Sequence, residues 1–504
     1  MNVAEYLEQH AAAEPDRIAI RFEGRSITYG QLNRDSNRLA SAMRQSGIAV
    51  GDRVALYLPN VPEFAVAYYA AQKLGAVPVT INAILKTEEV RYLLNDSGAV
   101  AVLTMSELTR YVPADCAALR LRIVVDEAVM PAGWVALGDL LGRGSESFDS
   151  VQRASEDVAA LLYSSGTTGF PKGVALTQHN IHSNIALPPE SRYSDYRPGD
   201  RLATFLPLFH VYGQNYIMNA AILAGATIVL FPRFIPDIVL RAIGDERITH
   251  FFAVPTIYIG LLNMDLSPYD LSSLRYEMSA AATMPEEISR RWAERFGRRV
   301  YEGYGLTECS PFSCYNDSEE HRFGSVGRAI EGFELKIFDE SDHELPFGEQ
   351  GEIVIRGDGV MQGYWNRPEE SKVALRGGWL HTGDVGRMDQ DGYVYITDRV
   401  KDMINVSGFK VWPAEVEQYL YKMPGIQEVA VYGVPAVPQG EQVAAAVVLK
   451  PGATVSADDI IAYCRENIAA YKVPARIDLV AELPKSASGK ILKRILRQQF
   501  ADRD

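Results

Sequence analysis

Cysteine is scarce: Cys116, Cys309, Cys314 and Cys464 are the only four in 504 residues. None sits in a C-x-x-C pair, so no paired metal site is indicated and a reducing cytoplasm is expected. Long apolar runs are missing too. The most apolar window, "YIMNAAILAGATIVLF" from Tyr216, is too short to span a bilayer and is interrupted by Asn219 and Gly225, so it reads as a buried helix followed by a strand. The start, "MNVAEYLEQH", has neither the basic region nor the apolar core of a signal peptide. Positive charge is in deficit. Fifty Lys and Arg against 64 Asp and Glu leave a net charge of −14, which argues against a nucleic-acid partner. No low-complexity tract and no short-period repeat stands out. At 47% hydrophobic and 23% charged, the composition is that of a soluble globular protein, and the length is too great for one compact core.

The opening third alternates strands and helices. "AIRFEG" and "RSITY" flank Gly24, and Thr28-Tyr29-Gly30-Gln31 matches a capping box ahead of Leu32, Leu39 and Met43. "RVALYLPN", "VPEFAVAYYAAQKLGA" and "VPVTI" continue the rhythm, which resumes from "RLATFLPL" to "THFFAVP". Such alternation predicts parallel sheets covered by helices, with sites at strand ends. Two α/β lobes are therefore expected. From Gly351 the text turns to short β segments ("GEIVIRG", "GYVYITD"), a β-rich subdomain, and beyond Lys401 a small α+β unit of about a hundred residues follows. The expected division is residues 1–398, a hinge at 399–401 and a mobile unit at 402–504.

"SSGTTGFPKG", from Ser164 to Gly173, follows the apolar run "VAALLY". Glycines, hydroxyls and a lysine at a strand end suit phosphate. A Walker loop is nonetheless excluded as a strict match: Lys172 is correctly spaced from Gly166, but Pro171 replaces the glycine and Gly173 the hydroxyl residue. A nucleotide-switch ATPase is disfavoured accordingly.

Four further motifs follow in order: "YEGYGLTE" (Tyr301 to Glu308), "HTGD" ending at Asp384, "DRVKDMINVSGFKVWPAEVE" (Asp398 to Glu417) and "PKSASGKILKR" (Pro484 to Arg494). With the loop, they resemble the adenylate-forming superfamily of acyl-CoA synthetases, peptide-synthetase adenylation domains and beetle luciferases, over nearly the whole chain. The resemblance implies ATP, Mg²⁺ and coenzyme A, or phosphopantetheine on an acyl-carrier protein, as reactants. It implies that Ser164, Ser165, Gly166, Thr167, Thr168, Gly169 and Lys172 form the ATP-phosphate loop, with Thr168 catalytic. Thr307 would meet the α-phosphate and Glu308 the metal. Ala280, Ala281 and Ala282 would line the adenine pocket, with Tyr304 stacking on the base and Gly305 beside it. Asp384 would hold the ribose hydroxyls and Arg399 would add charge nearby. Lys490 would stabilise the adenylation transition state without changing protonation. On composition alone, Lys485, Lys490, Lys493 and Arg494 read as a solvated basic helix face. Lys401 would be the hinge and Gly408 would flank a pantetheine tunnel formed when the C-terminal unit rotates; locally, Gly408 is also an ordinary turn glycine.

His210, in "LPLFHVYG", falls where the family places a residue beside the acyl site, with Val211 and Gln214 next to it. Gln214 and Asn215 are the conspicuous polar pair in apolar surroundings, and no acidic anchor for a substrate amine or extra cation for a dicarboxylate is evident. A medium- or long-chain fatty acid is expected, an aryl or cinnamate-like acid second. The rivals are a ligase that loads an acyl-carrier protein, a luciferase-type oxygenase and, from another class, a binding protein without turnover. The last is disfavoured because Glu308, Asp384, Arg399 and Lys490 are all present.

Overall fold

Apolar runs without polar alternation become strands covered on both faces. Val158–Ser164 and Thr227–Leu230 are two of these, the second wholly buried. In the computed structural model, which describes residues 2–126, 130–164, 170–187, 196–317, 319–436 and 440–500, they lie in two different sheets.

An eight-stranded sheet contains Val158–Ser164 between Val77–Thr80, its parallel neighbour, and Lys172–Thr177, which returns antiparallel with Lys172 opposite Ser164. Arg53–Tyr57, Ala101–Thr104, Leu121–Val124 and Val135–Ala136 extend the parallel side. A nine-stranded sheet has a parallel centre of Thr227–Leu230, Arg201–Thr204, His250–Ala253, Tyr276–Ser279 and Tyr301–Gly305. Two lobes are present, but the chain does not divide them in sequence. Ile18–Phe22 pairs in parallel with Thr227–Leu230, so the opening of the chain completes the later sheet. Two side-chain bonds hold that crossover: the Thr227 hydroxyl donates to Ile18 O at 2.7 Å and the Tyr29 hydroxyl to Ala226 O at 2.7 Å.

Thr28 starts helix Tyr29–Gln45 as expected, its Oγ1 accepting from the Gln31 N–H at 3.1 Å, though the described hydrogen bonds lack the reciprocal Gln31 arm of a capping box. The window around Tyr216 departs from a plain α-helix. Tyr212–Asn219 is a π-helix, buried at every position, continued by the α-helical turn Ala220–Ala224 and closed by Gly225 at φ 69°. Gly213 permits this. A Cβ there would stand 2.3 Å from Pro207 O, so only glycine lets the widened turn press on the preceding loop.

The β-rich segment is a four-stranded antiparallel sheet of Phe333–Phe338, Gly351–Gly357, Leu380–Met388 and Val394–Arg399. A last sheet, five-stranded, combines Phe409–Val411, Ile404–Val406, Gly440–Leu449, Ile426–Ala436 and Arg476–Leu479, with helices Pro413–Leu420, Ala457–Asn467 and Lys493–Phe500. Strand Ile426–Ala436 meets helix Pro255–Leu262 of the nine-stranded lobe. That contact brings the C-terminal turn at Lys490 to the strand ends.

Candidate active site

Parallel strands present their carboxyl ends together, and the site grows from them. Ser164 ends its strand in the first lobe; Tyr304 and Gly305 end theirs in the second, and Thr307–Cys309 forms the short 3-10 turn that follows. Gly305 is required there, since a Cβ would fall 1.8 Å from Pro311 O. The Ser164 hydroxyl crosses between lobes to donate to Glu308 Oε1 at 3.1 Å. Tyr364, on the edge strand Gly363–Tyr364, donates to the same oxygen at 3.0 Å, and Lys172 Nζ lies 5.1 Å from the Tyr364 ring centre. Glu308 is 8% exposed, and no described residue donates to its Oε2. Ser165, Gly166, Thr167, Thr168 and Gly169 lie outside the described residues.

The second half of the cluster hangs on the antiparallel sheet. Asp384 and Arg399 face each other in register on adjacent strands, with Arg399 Nε 3.0 Å from Asp384 Oδ1. Tyr304 donates to the other oxygen at 2.8 Å. Asp384 is 5% exposed, and its burial pushes the carboxyl upward, with Arg399, Tyr304 and Lys490 opposing. Next to the strand that carries Tyr304, Ala280 follows the end of Tyr276–Ser279 and is buried, and Ala281 takes a left-handed φ of 72°, unusual for a residue with a Cβ. Ala282 is exposed.

Lys490 reaches this cluster from the far end of the sequence. It does not lie on the final helix but precedes Lys493–Phe500, in a turn closed by Ser486 N–H to Lys490 O at 2.8 Å and Lys490 N–H to Ser486 Oγ at 3.1 Å. Gly489, at φ 81°, lets that turn lie flat on the large lobe: a Cβ would fall 2.7 Å from Val254 Cγ2, and the Thr256 hydroxyl donates to Gly489 O at 3.3 Å. The basic-face reading therefore separates into distinct roles. Lys485 pairs with Glu428 at 2.8 Å and Lys493 with Glu417 at 2.9 Å, while Lys490 is left to the cluster. Burial pulls the Lys490 ammonium down to about 8, Arg399 adding to the effect and Asp384 and Glu308 opposing it.

His210 lies within the same field. Burial first, and then the Lys490 charge, push it down to about 3, so it is neutral. Its Nδ1 accepts from the Tyr212 N–H at 3.2 Å, which leaves the ring proton on Nε2. Val211 and Gln214 follow, both buried. Gln214 Nε2 donates to Asn215 Oδ1 at 3.2 Å, but Gln214 Oε1 and the Tyr212 hydroxyl are buried without a partner among the described residues.

Lys401 sits in the turn Val400–Asp402 with its surface largely open, and partial desolvation at the amine, then the neighbouring Arg399 charge, lower its pKa. Gly408, exposed at φ 88°, closes the hairpin between Ile404–Val406 and Phe409–Val411. Its local role in this arrangement is that of a turn glycine. Tyr364 is the residue that motif reading passed over. Its signal was the aromatic pair Tyr364-Trp365 immediately after Gly363.

Among the described residues no group of three or more His, Cys, Asp or Glu side chains could hold a metal. A single carboxylate with one oxygen left, beside the Ser164 hydroxyl, still suits Mg²⁺, which commonly binds through one or two carboxylates and the phosphates of its nucleotide. No helix of the described residues is long and apolar enough to cross a membrane.

The profile of the AMP-binding enzyme family matches residues 7–365, and that of the AMP-binding enzyme C-terminal domain matches residues 415–490. A long-chain-fatty-acid-CoA ligase of Bacillus subtilis is 36% identical, the match covering 98% of this chain and 93% of the relative. A feruloyl-CoA synthase of Amycolatopsis is also 36% identical, over 98% of both. Among solved structures, the anthranilate CoA ligase AuaEII in complex with anthranoyl-AMP superposes with a TM-score of 0.92 at 31% identity, covering 99% of this chain and 97% of that one. MatB from Rhodopseudomonas palustris superposes with a TM-score of 0.90 at 32% identity in its ATP-bound form and 0.78 at 31% in its apo form, each covering 100% of this chain and 99% of MatB. With both profiles in register along the chain and full-length relatives above 30% identity, this protein belongs to the AMP-binding enzyme family of the adenylate-forming superfamily.

Proposed function

We propose that this protein is an AMP-forming acid-CoA ligase whose acid is a medium- or long-chain fatty acid. The observation that carries the reading is the docking of the Lys490 turn on Val254 and Thr256, which places one buried ammonium in the field of Asp384, Arg399 and Glu308 at the ends of both sheets. Two anions must meet for an acid to attack ATP, and fixed positive charge in a dry site lowers that barrier.

In the first step a carboxylate oxygen attacks the α-phosphorus of ATP, the bond to the β-phosphate breaks, and pyrophosphate leaves. Lys490 offsets the charge that builds between the two reactants. Asp384, held in place by Tyr304 and Arg399, accepts hydrogen bonds from the ribose hydroxyls; Tyr304 stacks on adenine and Ala280–Ala282 line its pocket. Thr307 meets the α-phosphate, while Thr167, Thr168 and Lys172 of the loop hold the β- and γ-phosphates. Glu308 would hold Mg²⁺ through Oε2, and bound Mg²⁺ supplies charge neutralisation to the phosphates. His210, with its proton on Nε2, donates toward the acid from the wall of the acyl pocket beside Val211 and Gln214. In the second step the CoA sulfur attacks the acyl carbonyl, the bond to AMP breaks, and the thiol proton is released.

The division at 1–398, 399–401 and 402–504 accompanies this chemistry. Asp398 supports a hinge there: its Oδ1 accepts from the Arg399 N–H at 2.8 Å and its Oδ2 from the Ala414 N–H at 2.8 Å, tying the residue before the linker that contains Lys401 to helix Pro413–Leu420 beyond it. Rotation about that linker would withdraw Lys490 and bring Gly408 to the pantetheine path. ATP and CoA as substrates and four unpaired buried cysteines suit a cytoplasmic enzyme. Phosphopantetheine on an acyl-carrier protein presents the same thiol.

A second reading of the acid is favoured by one observation. The unpartnered Gln214 Oε1 and Tyr212 hydroxyl suit an acid carrying its own hydroxyl or amine, such as a substituted aryl or cinnamate-like acid. The test is acid-dependent pyrophosphate release with Mg-ATP, using octanoate, palmitate, benzoate and ferulate, each with CoA, with holo acyl-carrier protein, or with neither. Turnover with fatty acids and CoA is expected; release with no acid would overturn the proposal.

A further inference from the structure

Helix Glu286–Phe296 begins without a cap of its own. Its N-cap is Pro285, whose side chain has no acceptor, and no side-chain cap bond is made locally. Ile288 and Ser289 donate to Pro285 O at 2.9 and 3.1 Å, which leaves the Glu286 N–H to find a partner elsewhere. It donates to Gln418 Oε1 at 3.0 Å, across 132 residues of sequence. Gln418 lies on helix Pro413–Leu420, in the segment that also carries the Lys490 turn beyond it. Glu287 and Arg291 on the same helix also bear electrostatically on Lys450 of that segment, and Glu287 on Tyr463, each behind burial as the larger cause.

We propose that Gln418 is a positioning residue for adenylation: it caps helix Glu286–Phe296 only while the C-terminal segment is docked, and so holds Lys490 in the site. The proposal rests on the two-step ligase reading above. Its physical content is a bond that one arrangement makes and the other cannot. When the C-terminal segment turns away, the Glu286 N–H passes to water and the cap is lost, so the capping energy biases the equilibrium toward the lysine-in state. Capping by a side chain commonly contributes about 1 kcal/mol, roughly a fivefold shift.

The experiment compares wild type with Gln418→Ala and Gln418→Glu. Glutamate keeps an acceptor at a helix N-terminus, where negative charge is favoured. Acid-dependent exchange of labelled pyrophosphate into ATP reads adenylation. Thioester formation from synthetic acyl-adenylate and CoA reads the second step, both with the acid that wild type activates best among octanoate, palmitate, benzoate and ferulate. Gln418→Ala is expected to lower exchange about fivefold while leaving the second step unchanged or faster, and Gln418→Glu to restore exchange. Unchanged exchange in Gln418→Ala, or an equal fall in both steps, would overturn the role. Exchange by wild type is measured alongside, so failure of the ligase reading shows as its absence there, separately from the ratio between variants.

Discussion

The Tyr304 hydroxyl donates to Asp384 Oδ2 at 2.8 Å, joining the nine-stranded sheet to the antiparallel one at a buried carboxylate whose other oxygen faces Arg399. Burial raises the Asp384 pKa, so the folded state holds its proton more tightly than the unfolded chain does. Its contribution to stability therefore grows as pH falls through the carboxylate range, and the ionised form costs stability at neutral pH. Asp384→Asn removes that cost, and the Tyr304 hydroxyl can rotate to accept from the new amide. The expected outcome at pH 7 is an unchanged or higher Tm with a KM for ATP raised about 10- to 100-fold, the scale of one charged hydrogen bond. Tyr304→Phe should raise KM for ATP only about fivefold. Thermal melts and pyrophosphate-release kinetics check both.

Lys490→Ala should cut pyrophosphate exchange by about 10²- to 10³-fold and largely spare thioester formation from supplied acyl-adenylate. The pH dependence is specific as well. The ammonium is the useful form, and its pKa has been drawn down to about 8, so kcat/KM for adenylation should fall as pH rises through that value. Lys490→Arg, charged throughout, should lose that alkaline limb even if its rate is lower. A limb that persists in the arginine variant belongs to another group.

Both lobes could be read from periodicity because the buried runs such as Val158–Ser164 are continuous. Their interleaving could not, since nothing in "AIRFEG" says that its neighbour lies some two hundred residues on at Thr227–Leu230. Strand pairing is decided by packing and by bonds such as Tyr29 to Ala226. The motif residues Ser164, Glu308, Tyr304, Asp384 and Arg399 do converge through hydrogen bonds and an ion pair, and Lys490 joins them electrostatically. Tyr364 was missed because it acts through its position at a sheet edge, and the π-helical turn because a π-turn and an α-turn carry the same apolar pattern.

His210 gives a stability prediction of opposite sign to that of Asp384. The folded state keeps the ring neutral down to about pH 3, whereas the unfolded chain protonates near 6.5. Between those values the unfolded state binds more protons, so this residue makes the protein less stable as pH drops. His210→Asn retains an acceptor for the Tyr212 N–H and does not titrate. The Tm of this variant should fall less than that of wild type between pH 7 and pH 5, a difference that differential scanning calorimetry reads directly.

Gln214 connects stability to the choice of acid. Its Oε1 is buried without a partner among the described residues, a condition that typically costs about 1–3 kcal/mol. Gln214→Leu removes that oxygen. It also removes the bond to Asn215 Oδ1, but that acceptor keeps the Asn219 amide at 3.1 Å, so Tm is expected to hold or rise. If the oxygen is there to receive a donor on the acid, kcat/KM for ferulate should drop about tenfold in the variant while that for octanoate is unchanged or improved. Equal loss with both acids would show that Gln214 serves the shape of the π-helical turn alone, and the plain fatty-acid reading would stand without the second.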